Sequence, residues 1–295
     1  MFSRSTNISV MEKNWHVYFL LPALLIITAV SIFPFLFSVY LSFQQYNPVR
    51  ITQPSKFVGL GNFVTILKDP IVWNSLRTTL SFVVFAVSIE FIFGFAIALL
   101  FNKEIPGKNI IRGILLIPMV LTPVIVGLIW KYLLNDTFGV INIFSKRLEI
   151  NFAWYNSVGT ALITMVLIDV WQWTPFIFLI LLSGLVSLPM DVYESAKIDG
   201  ASSWGLFYYL TLPLMKRVIL IAIILRSVDA IRIFDKIWVL TRGGPSRATE
   251  VLSILIFKEG FLYFNLGYAA ALSFFFLAIV VVLSFLFIRI AKFEV

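Results

Sequence analysis

Leu188-Pro189-Met190-Asp191-Val192-Tyr193-Glu194-Ser195-Ala196-Lys197-Ile198-Asp199-Gly200-Ala201, closing with Leu210-Thr211-Leu212-Pro213, is the one sizeable polar interruption in a series of apolar segments. Pro189 biases the preceding residue towards extended angles and is itself tolerated at a helix start. Asp191 and Glu194 then fall in a first turn, where carboxylates complement the free amides and the dipole. Gly200 permits the turn that ends this helix. The stretch therefore predicts a helix, a glycine turn and a second short helix held between two apolar spans, with Pro213 opening the next span.

Composition sets the class around it. The chain has 295 residues, 60% hydrophobic and 13% charged, whereas a soluble domain carries roughly a quarter charged residues. Several apolar runs exceed the roughly 18–20 residues that cross a bilayer. The fold class is an all-α polytopic membrane protein, forming a single transmembrane domain over 1–295. Six spans are expected at about 15–43, 78–101, 110–132, 157–185, 218–240 and 264–288, with the polar segment at 188–213. The first run is too long for a signal peptide and is read as a retained span. There is no cysteine, so no disulfide, thiol nucleophile or cysteine metal site exists. The net charge of +8 suits contact with lipid headgroups rather than nucleic acid. His16, the single histidine, reads as an interfacial residue.

Between the spans, Phe63, Ile66 and Leu67 have helical spacing in the loop after span one, consistent with a surface helix or a partner contact. Trp154 and Tyr155 read as interfacial anchors before span four. The glycines of Thr241-Arg242-Gly243-Gly244-Pro245 suit a flexible loop or a plain turn. Lys and Arg are balanced between the two sides, so only Lys103, Lys108 and Arg112 favour a cytoplasmic side for their turn.

Charged residues occur inside the spans, where each costs at least about 2.5–3.5 kcal/mol. Glu90 lies within span two. Span five holds Arg226, Asp229, Arg232, Asp235 and Lys236 at spacings of three and four, predicting one helical stripe with Arg226–Asp229 and Arg232–Asp235 pairs. Span four offers Asp169, Gln172 and Trp173 on one face, beside Trp171. Two readings stay open: an ion-pair ladder that fixes packing, or a polar and aromatic wall of a substrate cavity. Asp, Gln and Trp supply the hydrogen bonds and ring faces that bind sugars. Asn265, Gly267 and Tyr268 are weaker candidates.

Glu194-x-Ala196-x3-Gly200-x9-Leu210-x-Leu212-Pro213 resembles the E-A-A-x3-G-x9-I-x-L-P loop of ABC importer permeases, with Ser195 and Leu210 as departures. The likeness extends through Leu21-Pro22, Phe57 to Phe63, Pro118, Asp169-Val170-Trp171, Phe234-Asp235 to Pro245, and Gly267 to Ser273. It points to the first-named permease of carbohydrate importers of the maltose, lactose and trehalose type. The resemblance implies a type I importer permease fold in a bacterial or archaeal inner membrane, with both termini cytoplasmic. It implies a transport subunit that is not itself an enzyme. Tyr193, Glu194, Ser195, Ala196, Asp199, Gly200 and Ala201 would dock a cytoplasmic ATPase as a coupling helix. Two ATPase copies, a second permease subunit and an extracytoplasmic solute-binding protein would complete the importer. ATP and magnesium would sit on the ATPase, since this chain has no G-x-x-x-x-G-K-[ST] loop and needs no cofactor. Asp169, Gln172, Trp173, Asp229, Arg232 and Asp235 are the substrate-pathway candidates for a sugar. The competing readings are a permease for glycerol phosphate or another anion, bound by Arg226 and Arg232, and an ion-coupled secondary transporter using the carboxylates.

Overall fold

The computed structural model describes residues 19–49, 55–103, 106–149 and 152–293. The expected start of the first span at Trp15, and His16, lie outside the described residues. Among the described residues, five helices are long and apolar enough to cross a membrane, or six if one sharply bent pair counts as a span. The chain divides into two compact units, Met1–Lys68 with Ile256–Phe275, and Asp69–Leu255 with Phe276–Val295.

In the first unit, α1 (Phe19–Ser42) is a lipid-length helix with no buried share in its apolar window. A two-stranded antiparallel ribbon follows, pairing Gln44 with Phe57 and Gln45 with Lys56. Asn62 donates to the carbonyls of Ser42 and Gln44 at 2.8 and 2.9 Å, so α2 (Gly61–Lys68) is tied under the end of α1. Ile66 is buried while Val64 and Leu67 stay exposed. Asn265 holds Asn47 at 3.0 Å and Glu259 at 2.9 Å, and Gly267 sits where the Gln44 carbonyl leaves no room for a Cβ. These two positions therefore serve packing.

The second unit is built on α3 (Pro70–Phe101) and α7 (Val158–Val186). Asp69 caps α3 by accepting from the Ile71 amide at 2.8 Å, with Pro70 in its first turn, where no amide is needed. The helix thus starts eight residues before the apolar run that marks it in sequence, at 78. The two helices meet closely at Gly94, where a Cβ would lie 2.8 Å from Ile177 Cγ2 and 3.1 Å from the Phe178 amide. Small residues permit this approach between membrane helices. Phe95, Ala98, Phe101, Phe178 and Leu181 fill the seam.

The third expected span is two helices, α4 (Lys108–Val120) and α5 (Pro123–Leu133), bent by 97°. Leu121 and Thr122 both adopt extended angles. Pro123 imposes this on Thr122 by steric exclusion of the helical region, and Pro118 removes a donor from the preceding turn. α6 (Val140–Arg147) follows. Tyr155 is buried against the core with Trp154 packed beside it, which corrects their reading as interfacial anchors.

After α7 come α8 (Met190–Ile198) and α9 (Ser203–Ala230). Gly200 has φ +82°, the left-handed turn its position predicts. The second helix is not short. Ser202 accepts from the Gly205 amide at 3.1 Å as an N-cap, and α9 runs unbroken into the membrane segment. It passes through a π-helical stretch, Leu206–Thr211, with Pro213 inside it. The span then ends at Ala230. α10 (Asp235–Leu240) starts afresh after a turn, so the stripe expected from Arg226 to Lys236 does not exist as one helix. α11 (Leu252–Phe257) and α12 (Leu266–Phe293) complete the chain. The Thr241–Pro245 loop is closely tied: Thr249 Oγ1 donates to the Gly244 carbonyl at 2.7 Å, and the Arg242 amide to the Ile237 carbonyl at 2.9 Å.

Gly94→Ala is expected to destabilise the folded protein by about 1–3 kcal/mol through overpacking against Ile177 and Phe178. Gly113→Ala, with open space around the new Cβ, is expected to be neutral or slightly stabilising. Thermal unfolding of the two purified variants in one detergent compares them.

Candidate functional site

The polar residues of α3, α7 and α9 converge on Arg226. Its Nε and Nη2 donate to Glu90 Oε2 and Oε1 at 2.7 and 3.1 Å, a bidentate pair. Nη2 also pairs with Asp169, and Nη1 donates to Asp229 at 3.1 Å. The guanidinium lies 5.2 Å from the Trp173 ring centroid, within cation–π range. Lys236, beyond the break after Ala230, returns to pair with Asp169 and donates to Gln172 Oε1 at 2.9 Å. Gln172 in turn donates to the Leu121 carbonyl at 2.9 Å, one of the groups freed by the bend between α4 and α5.

Glu90, Asp169, Arg226 and Lys236 are all buried. Two anions and two cations make the buried set formally neutral, and every member has a charged partner. Buried charges are tolerable only on such terms. The buried residues thus pair with one another, while a second group of charged residues does not share their burial. Asp169 and Gln172 are committed to the internal network. Asp229 and Arg232, at 51% and 63% side-chain exposure, and exposed Asp235 face open space. Arg232 lies 4.0 Å from Asp229 and does not pair with Asp235, because the chain turns between them.

That open space is a cavity of roughly 240 Å³ lined by Pro123, Asp169, Trp173, Arg226, Asp229, Arg232, Phe234, Asp235 and Lys236, with Ala230 and Ile233. It gathers five of the six pathway candidates, while Gln172 stands behind the wall. Sequence reasoning missed two things. Glu90 is visible as an intramembrane acid, but nothing local names Arg226 as its partner 136 positions away. Phe234 enters the wall because it caps α10.

At the far end of α9, α8 has no buried residue. Glu194, Ser195, Asp199, Gly200 and Ala201 are exposed, and Tyr193 and Ala196 half-buried. Tyr193 donates its hydroxyl to Thr211 Oγ1 at 3.0 Å, which ties α8 to the π-helical stretch of α9. The remaining face of α8 stays open.

Arg226→Gln is expected to cost about 3–5 kcal/mol by leaving buried carboxylates uncompensated, seen as loss of the monodisperse peak in size exclusion. Asp229→Asn, at the exposed rim, is expected to retain that peak.

Residues 90–293 match the family described as binding-protein-dependent transport system inner membrane component. The chain is 37% identical over 279 residues to the trehalose/maltose transport system permease protein MalF of Thermococcus litoralis, covering 93% of this chain and 92% of that one. It is 34% identical over 290 residues to the trehalose transport system permease protein SugA of Mycobacterium tuberculosis, covering 98% and 92%. In fold it is similar to a chain in the crystal structure of a bacterial ABC transporter involved in the import of the acidic polysaccharide alginate. That match has a TM-score of 0.80 and 19% identity, over 98% of this chain and 99% of the other. With its apolar spans, its exposed polar helix between two of them and these relatives, the chain belongs to the family of binding-protein-dependent ABC transporter permeases, as a membrane-embedded transport subunit.

Proposed function

We propose that this chain is the membrane-spanning subunit of an ATP-driven importer for a sugar or polyol, working with a second permease of similar fold. Two copies of a cytoplasmic ATPase bind the cytoplasmic face, one of them docking on α8, and ATP and magnesium bind on the ATPase. A solute-binding protein on the opposite face delivers the sugar. Both termini then lie in the cytoplasm with α8. The observation that carries this reading is α8 itself, an exposed polar helix between two spans, with no buried residue and tied to α9 by Tyr193.

In the mechanism, closure of the ATPase dimer displaces α8, and Gly200 and the Tyr193–Thr211 contact pass the displacement to α9. Because α9 carries Arg226, and Arg226 holds Glu90 of α3 and Asp169 of α7, the three helices move as one body. Access to the cavity switches from one side of the membrane to the other as two packings of similar free energy exchange. Trp173, Asp229, Arg232 and Asp235 are the ligand-facing groups. Relatives that carry trehalose or maltose by name support a sugar. The anion alternative is disfavoured because Arg226 is saturated by carboxylates and Arg232 has Asp229 beside it.

Sugar uptake by the reconstituted importer is expected to stop without ATP and to survive a protonophore. Uptake that follows the proton gradient instead would establish the secondary-transporter reading. Glu194→Lys is expected to leave the protein in the membrane but lower uptake about tenfold or more, as for a reversed charge at an interface. Asp229→Asn is expected to lower uptake while preserving assembly.

A further inference from the structure

Helix α6 has its polarity reversed for a water-exposed helix. Asn142 is 3% exposed, whereas Val140, Ile143 and Phe144 are 53%, 43% and 59% exposed. Leu148, just past the helix, continues the same face at spacings of three and four. The polar underside is pinned. Asn142 donates to the Asn135 carbonyl at 3.4 Å, Lys146 to the Asp136 carbonyl at 2.9 Å, and Asn156 to the Asp136 carboxylate. The apolar face is thus held outward by hydrogen bonds rather than left over from loose packing.

This face is continuous with the exposed apolar side of α5. Val124, Ile125, Leu128 and Tyr132 form the exposed surface of α5, and the Tyr132 ring meets Phe138 at 6.1 Å, leading onto α6. Arg147, three residues on from Phe144 and four on from Ile143, closes this face at its C-terminal end, with its guanidinium over the Phe144 ring at 5.8 Å and Glu149 beyond it. A short helix whose outward apolar face ends in an arginine, able to extend its guanidinium to the headgroups, matches a segment lying in the plane of a bilayer surface. α7 begins just after this region and runs 29 residues to the side where α8 lies, so α6 is at the opposite membrane face.

We propose that α6 lies in the phospholipid leaflet opposite α8, with Val140, Ile143 and Phe144 in the acyl region and Arg147 at the depth of the phosphodiesters. The leaflet then fixes the outer end of α5. That helix matters to the cavity, because Pro123 lines it and Lys131 donates to the Val239 carbonyl of α10 at 2.9 Å.

The chain lacks cysteine, so single cysteines at Val140, Ile143, Phe144 and Glu149 can each carry a nitroxide in the assembled protein in phospholipid nanodiscs. Positions 140, 143 and 144 are expected to collide with oxygen and be shielded from a water-soluble nickel chelate. Their oxygen-to-nickel ratio should be several-fold above that of position 149. Ratios equal to that of position 149 would mean a water-facing helix and overturn the proposal. Exclusion of both reagents would mean that another chain covers the face and would also overturn it. Any one of the three positions that assembles gives the reading.

Discussion

The structure depends on one guanidinium. Arg226 joins Glu90 of α3, Asp169 of α7 and Asp229 of its own helix, and no part of that arrangement is stable alone. A lone arginine at this depth costs at least a few kcal/mol. A lone carboxylate pair would repel. Together with Lys236 the buried charges cancel, and the strength of each interaction in low dielectric becomes an asset. Hydrophobic contact offers little preference between helices in lipid, because the tails are as apolar as leucine. The ion cluster supplies that preference: it selects which faces of α3, α7 and α9 meet, and in what register.

Two backbone breaks are organised by the same cluster. Gln172 satisfies the Leu121 carbonyl at the α4–α5 bend, and Lys236 draws the start of α10 back towards Asp169. Broken helices at membrane depth are tolerated where protein or a water-lined cavity satisfies the freed groups. Here the breaks and the cavity coincide, since Pro123 and Phe234 both line it. α9 then connects this centre to α8. Its 28 residues span about 42 Å at 1.5 Å per residue, a rigid link from the exposed polar helix to the charges beside the cavity.

Much of this was legible from residue pattern. Pro189, the acidic first turn and Gly200 foretell α8 because each acts locally on backbone angles or on the dipole. Long apolar runs foretell the spans because the bilayer demands them. What resisted reading was non-local. Nothing between Ile231 and Phe234 is a proline or glycine, so the break after Ala230 had no local signal. It is stabilised by partners outside the segment, such as Ser253 donating to the Ile233 carbonyl and Asp169 pairing with Lys236 just beyond the break. Charge spacing within one segment suggested Arg226–Asp229 and Arg232–Asp235, since i,i+3 neighbours are all a single helix can show. Arg226 pairs as well with Glu90 and Asp169, each on another helix. Of the pathway candidates, Asp169 and Gln172 also carry contacts that no local pattern announces: Asp169 pairs with Arg226 and Lys236, and Gln172 bonds Lys236 and the Leu121 carbonyl.

The most direct measurement is photocrosslinking from α8 in living cells, with benzoylphenylalanine in place of Val192, an exposed position on that helix. If α8 is the element on which a motor acts, mass spectrometry of the adduct identifies an ATPase subunit. An adduct with the solute-binding protein, or with lipid alone, would place α8 on the wrong side or against nothing that moves it, and would contradict the account.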